Sequence, residues 1–178
     1  MDDRLTKADW IAQGLTTLAN EGPNALKALP MATALKVSRG SFYWHFRDIA
    51  DFRAQLLQAW QARITEQVIE NLETEEAGPD RLKSLLRRAF RAPPKLDRAV
   101  RAWAAEDAGV AAVVAAVDAR RIAYIASLLA ASGVQAARAD SRAAFLYWAY
   151  LGQSAVMDPR HALIGGHALD EIAALFER

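Results

Sequence analysis

Val37-Ser38-Arg39-Gly40-Ser41-Phe42-Tyr43-Trp44-His45-Phe46 is the stretch whose reading decides the fold. Ser38 suits the N-cap of a short helix, because its hydroxyl can accept an orphan backbone N–H from the next turn. Phe42 and Phe46 then fall one turn apart on a single face, and those two rings are expected to anchor the helix to a core. Arg39, Ser41, Tyr43, Trp44 and His45 are left on the outward side. They supply donors for phosphate, a guanidinium able to bond guanine O6 and N7, and a ring that can meet a thymine methyl. A core helix has little use for that set; a helix lying in a DNA groove does.

The residues in front extend the same reading. Ala28 to Leu35 is an apolar segment carrying Leu29, Met31, Ala32 and Leu35, and Lys36-Val37 makes a turn short enough to join two crossed helices. Helix, short turn, helix is the helix-turn-helix plan. Pro30 is compatible with it, because the first helical turn has no intrahelical acceptor for the missing N–H to lose. The second helix is therefore expected to begin close to Lys27.

On these residues the chain resembles the TetR family of bacterial one-component transcriptional regulators. The family signature is an apolar helix, a Gly-Val-Ser-like turn, then Gly, Ser or Thr, an apolar residue, Tyr, an aromatic or His, and Phe. Here it stands as Ala34-Leu35-Lys36-Val37-Ser38-Arg39-Gly40-Ser41-Phe42-Tyr43-Trp44-His45-Phe46. At motif level the resemblance covers residues 5 to 60; beyond that, length and helical layout agree. The chain departs from the pattern in three places. Lys36 stands where the turn usually has Gly, and a left-handed backbone there costs a residue with a side chain on the order of 1 kcal/mol. Ile49 stands where the family often has a phosphate-holding Lys, so Arg47 or Arg53 would have to replace it. Ala28 and Leu29 occupy the usually polar entrance of the second helix, leaving Lys27 as the nearest donor. The DNA-contact set implied is Lys27, Lys36, Ser38, Arg39, Gly40, Ser41, Tyr43, Trp44, His45 and Arg47, facing double-stranded operator DNA.

Composition bounds the rest. A chain of 178 residues at 53% hydrophobic can build one sizeable core plus a small lobe. The formal charge of +1 argues against a non-specific DNA coater, so any affinity for DNA must come from a local arrangement. The sequence has no Cys, which removes disulfide and thiolate chemistry and suits a reducing cytosol. Met1-Asp2-Asp3-Arg4 is unlike a signal peptide, and the apolar stretches are interrupted by charges well short of the roughly 20 residues that span a bilayer. A cytoplasmic protein without membrane contact is expected.

Ala, Leu, Glu, Gln and Arg dominate, and breakers divide the chain into about nine helices. They are expected at about Thr6–Glu21, the helix-turn-helix pair, Asp48–Glu75, Asp80–Arg91, Lys95–Asp107, Val110–Ala131, Ala136–Met157 and His167–Glu177, with Gly78-Pro79, Pro93-Pro94 and Asp158-Pro159 as stops. This predicts an all-α fold. Residues 1–50 form a three-helix DNA-binding domain, joined by the long helix to a helical effector-binding and dimerisation domain over residues 51–178.

Charge is distributed unevenly: Glu66, Glu70, Glu73, Glu75, Glu76 and Asp80 precede Arg81, Lys83, Arg87, Arg88, Arg91, Lys95, Arg98 and Arg101. Two solvated, partly paired helix faces explain such runs; a basic cluster beside an effector pocket would instead meet a carboxylate or phosphate. Aromatic and cationic residues of the second half, Phe90, Arg101, Trp103, Arg121, Tyr124 and Tyr147, are the candidates for a small-molecule pocket. The last two helices carry more apolar surface than one lobe needs, with Phe145, Trp148, Leu151, Leu169, Ile172 and Phe176 as candidate dimer contacts. Two-fold symmetry then calls for a pseudo-palindromic operator.

Catalytic readings find little. His45, His161 and His167 lack the spacing of a zinc site, Gly165-Gly166 lacks that of a phosphate cradle, and no catalytic residue, metal or cofactor is expected. The expected function is a homodimeric, ligand-responsive, sequence-specific transcriptional regulator, a repressor released by a small-molecule effector. The alternative is a helical sensor or protein adaptor without DNA binding.

Overall fold

The computed structural model describes residues 5–75, 80–91, 95–156, 160–161 and 163–178. Helix dominates those residues, and no strand occurs among them. The elements are α1 (Lys7–Glu21), α2 (Ala28–Ala34), α3 (Arg39–His45), α4 (Ile49–Gln61), α5 (Gln67–Glu75), α6 (Arg81–Ala89), α7 (Lys95–Ala104), α8 (Ala108–Ala131), α9 (Ala136–Gly152) and α10 (Gly166–Phe176). A π turn, Ala62–Glu66, lies between α4 and α5. With α4, the π turn and α5 taken as one helical run, the described residues hold nine helices, and the all-α expectation and its count stand. The expected stops at Gly78-Pro79, Pro93-Pro94 and Asp158-Pro159 lie outside the described residues.

Local chemistry sets the helix starts. Thr6 and Asp9 form a reciprocal capping box at α1, with the Asp9 carboxylate accepting from the Thr6 backbone N–H at 2.7 Å. Asp48 caps α4 by accepting the Asp51 N–H at 2.8 Å. The hydrogen bonds from Thr6 hold the Asp9 carboxyl below its ordinary pKa.

Packing divides the chain into two compact units, Met1–Ile64 with Lys95–Ala115, and Thr65–Pro94 with Ala116–Arg178. The expected division after residue 50 falls inside the first. Two contacts explain why that unit extends further. Gly14 on α1 meets α4 so closely that a Cβ there would stand 2.6 Å from Phe52 Cζ, and nearer still to Leu56 Cδ1. Helix α7 also packs on α1, burying Val100 and Trp103, and the Arg53 guanidinium of α4 lies 5.8 Å over the Trp103 ring. The core of this unit includes Trp10, Leu18, Phe42, Phe46, Phe52, Leu56 and Trp60. The second unit has its own core, in which Leu72, Leu82, Leu86, Leu129, Ala143 and Leu169 are buried.

The turn between α2 and α3 is a Schellman motif. Val37 N–H donates to Ala32 O at 3.0 Å, and Lys36 N–H to Thr33 O at 3.1 Å. Lys36 takes the left-handed position, with φ 57°. The strain foreseen for a side chain at the usual Gly position is therefore present. Lys36→Gly is expected to stabilise the protein by about 0.5–1 kcal/mol, relief of strain being partly offset by a looser unfolded chain. Urea denaturation measures this, and a loss of stability would mean that the Lys36 stem contributes contacts outweighing the strain.

Candidate nucleic-acid interface

The aromatic periodicity of α3 builds its two sides. Phe42 is fully buried and Phe46 nearly so. Phe42 meets Trp10 and Phe52 edge-on at 5.5 Å each and lies 5.1 Å from Phe46. Trp44 projects roughly 160–200° around the helix from both phenylalanines, and it is 87% exposed. Tyr43 beside it is half exposed. Arg39 Nη2 donates to the Tyr43 hydroxyl at 3.3 Å, and its guanidinium lies 5.9 Å from the centre of that ring. These two side chains stand together as an i,i+4 pair on the open side of the helix.

Lys27, Lys36, Ser38, Arg39, Gly40, Tyr43, Trp44 and Arg47 are all exposed, whereas Ser41 and His45 are half-buried. His45, expected on the outward side, is partly exposed and partly covered by Trp10, with ring centroids 6.4 Å apart, a contact that sequence spacing within α3 could not reveal. Ser38 is the N-cap residue by backbone geometry, but its side chain makes no capping bond. Its hydroxyl therefore lies at an exposed helix start rather than on the backbone. Within the apolar segment of α2, Met31 and Ala32 are buried and Leu29 is 60% exposed.

Arg47 and Arg53 differ in their surroundings. Arg53 turns inward, donating from Nη2 to Pro23 O at 3.3 Å and covering Trp103. Arg47 has 85% of its side chain exposed. Its backbone N–H donates to Asp51 Oδ2 at 3.0 Å, and that bond is the main reason the Asp51 carboxyl sits below its ordinary pKa. Sequence reasoning missed Lys7, whose Nζ stands 5.5 Å over the Phe46 ring and so adds a cation beside the end of α3. Nothing in the sequence signals this, because the contact joins α1 to the residue that caps α3.

The six candidate ligand residues are divided between the two units. Arg101 and Trp103 belong to the first, Phe90, Arg121, Tyr124 and Tyr147 to the second. Arg101 Nε donates to the buried carboxylate of Asp97 at 3.0 Å. In the second unit Arg121 and Tyr147 do come together: Arg121 Nε donates to Thr65 Oγ1 at 2.9 Å, and the Tyr147 hydroxyl to Asp118 Oδ1 at 2.7 Å. Arg121 also reaches the Tyr147 hydroxyl at 3.4 Å and lies over Tyr150. The buried Tyr124 hydroxyl has no hydrogen-bond partner among the described residues, and burial raises its pKa. Among the described residues no group of three or more His, Asp or Glu side chains could hold a metal ion, and no helix is long and apolar enough to cross a membrane.

Of the candidate dimer contacts, Phe145 and Trp148 are 57% and 64% exposed on α9, and Phe145 stacks on Phe176 at 5.9 Å. Leu151, Ile172 and Phe176 are half-buried. Leu169 is corrected: it is buried in its own unit, because α10 packs on α6.

No protein-family model matches this chain, and no curated protein matches it.

Proposed function

We propose that the chain is a homodimeric, ligand-responsive, sequence-specific DNA-binding transcriptional regulator of the TetR type, a repressor released from a pseudo-palindromic operator by a small-molecule effector. One observation carries the reading: after a tight turn, a short helix is anchored through Phe42 and Phe46 and offers Arg39, Tyr43 and a nearly fully exposed Trp44 on its other side. Leaving an indole that open costs hydrophobic free energy unless a partner covers it. Lys27, Lys36 and Arg47 are exposed and close in sequence to this helix, and Lys7 stands over Phe46, so cations are available for the local positive charge that DNA requires and the near-zero net charge does not supply. In this reading Arg47, not Arg53, holds the phosphate.

The dimer is supported by the apolar face that α9 and α10 expose through Phe145, Trp148 and Leu175. Trp148→Glu is expected to convert dimer to monomer in sedimentation and to lose retention of paired half-sites; an unchanged dimer would place the interface elsewhere. An effector that favours a different arrangement of the two DNA-reading helices lowers operator affinity, and operator binding lowers effector affinity by the same factor. The helical run from Ile49 to Glu75 contributes to both packing units, so coupling is assigned to it.

The test is to sequence genomic fragments retained by the purified chain at near-physiological salt. Enrichment of a pseudo-palindrome supports the reading. Retention of random fragments, or of none, replaces it with a helical sensor or adaptor that does not bind DNA.

A further inference from the structure

Among the described residues of the first unit, the large apolar side chains left well exposed are Leu29, Tyr43 and Trp44, and all three lie in α2 and α3. Tyr43 is accounted for, because its hydroxyl accepts from Arg39 Nη2 and the guanidinium lies against its ring. Trp44 is not. Its indole is 87% exposed, and a single N–H donor with no acceptor gives water little to bond.

Gly40 stands one turn before Trp44 on the same side of α3. A Cβ at Gly40 would meet only the Ser38 hydroxyl among the described residues, at 3.7 Å, an ordinary contact. Its backbone is not left-handed, unlike that of Gly22 or Gly133. Neither packing nor backbone therefore asks for glycine here, and glycine is a poor helix residue. What glycine does supply is a bare surface over which another molecule can come close to the backbone. Two rows thus run along the open side of α3. Arg39 with Tyr43 can form hydrogen bonds; Gly40 with Trp44 is a gap beside a wide apolar ring.

The base edges in the major groove are donors and acceptors apart from one apolar group, the C5-methyl of thymine. The indole has nothing with which to accept from the amino groups of adenine or cytosine. A phosphate could take its one N–H but would leave the ring uncovered. The methyl is the group that matches its face.

We infer that Gly40 and Trp44 together read thymine: the missing side chain of Gly40 lets the groove edge come against α3, and the Trp44 indole covers the thymine C5-methyl there. The inference rests on the DNA-binding reading proposed above and assigns part of its sequence preference to an apolar contact.

The experiment is retention of genomic fragments by the purified full chain from two libraries amplified from the same DNA. One contains thymine; the other contains uracil, which pairs as thymine does and lacks the C5-methyl. The wild-type chain is expected to enrich a thymine-bearing pseudo-palindrome from the first. The uracil form of that sequence should bind at least roughly fourfold more weakly for each methyl lost, or about fifteenfold for two half-sites. Trp44→Ala, at a position with little packing to lose, is expected to bind both forms equally. Gly40→Ala is expected to keep or raise the urea midpoint, yet to bind the thymine form roughly tenfold or more weakly, because its methyl group occupies the space of approach. A uracil form bound as tightly as the thymine form, a Trp44→Ala variant that still discriminates, or a Gly40→Ala variant that binds like the wild type would each overturn the inference. Each of these leaves the DNA-binding reading in place, since a pseudo-palindrome is still enriched. If the wild-type chain enriches nothing from either library, the DNA-binding reading fails and the inference falls with it.

Discussion

Phe42→Ala is expected to lower the stability of the first unit by about 3–5 kcal/mol, while Trp44→Ala, two positions along the same helix, changes it by no more than about 0.5 kcal/mol. The chemistry removed is similar in size, so the contrast isolates environment. Phe42 is fully buried, with Trp10, Phe46 and Phe52 around its ring. Truncation leaves a cavity that three aromatic rings cannot readily fill, and it forfeits edge-to-face contacts worth about 0.5–1.5 kcal/mol each beyond area. Trp44 is 87% exposed and has little packing to lose. Urea denaturation of both variants gives the comparison. On the regulator reading, Trp44→Ala also weakens DNA retention while remaining folded, so stability and binding separate at neighbouring positions. If Trp44→Ala proved as destabilising as Phe42→Ala, the indole would be packed in solution and the open side of α3 would vanish as an interface.

The same helix marks how far the sequence could be read. The burial of Phe42 and Phe46 and the exposure of Arg39, Tyr43 and Trp44 follow from a period of 3.6 residues, and both were legible. Lys36 was legible as the residue at the turn's usual Gly position, whereas whether the turn would shift or the strain be borne was not; its φ of 57° shows the second. What escaped depends on contacts between distant segments. His45 leans on Trp10 of α1, Arg53 turns towards Trp103 of α7, and Leu169 is buried by α6. Each alters a residue's role without any change in its own neighbourhood in the sequence. The π turn Ala62–Glu66 interrupts what helical spacing presents as a single run, and Thr65 within it accepts from Arg121, 56 residues away. The candidate ligand residues fall in two packing units for the same reason. Residue type selected them, whereas the return of α7 to α1 places Arg101 and Trp103 in the first packing unit.

On the regulator reading, with Arg39 contacting a guanine, Arg39→Ala is expected to cost about 1–3 kcal/mol on the preferred operator, roughly 5- to 150-fold in affinity, and much less on an operator whose contacted guanine has been replaced. Its loss therefore appears as relaxed selectivity rather than uniformly weaker binding. Tyr43→Phe should behave differently. The ring that the Arg39 guanidinium lies over is retained and only the hydroxyl accepting from Arg39 Nη2 is removed. With the arginine still supported, the variant loses a phosphate donor and binds all sequences more weakly by about 0.5–1.5 kcal/mol. Competition binding with operator variants at fixed salt distinguishes the two, and fixed salt is essential because phosphate contacts dominate the salt dependence. The pair is in direct contact, so its effects are not expected to add; the double variant should cost less than the sum, by the part of Arg39's aim that the tyrosine supplies. Arg39→Ala leaving both affinity and selectivity intact would remove the reason for assigning α3 to the DNA groove, since the most capable base-reading side chain on its open side would then be reading nothing.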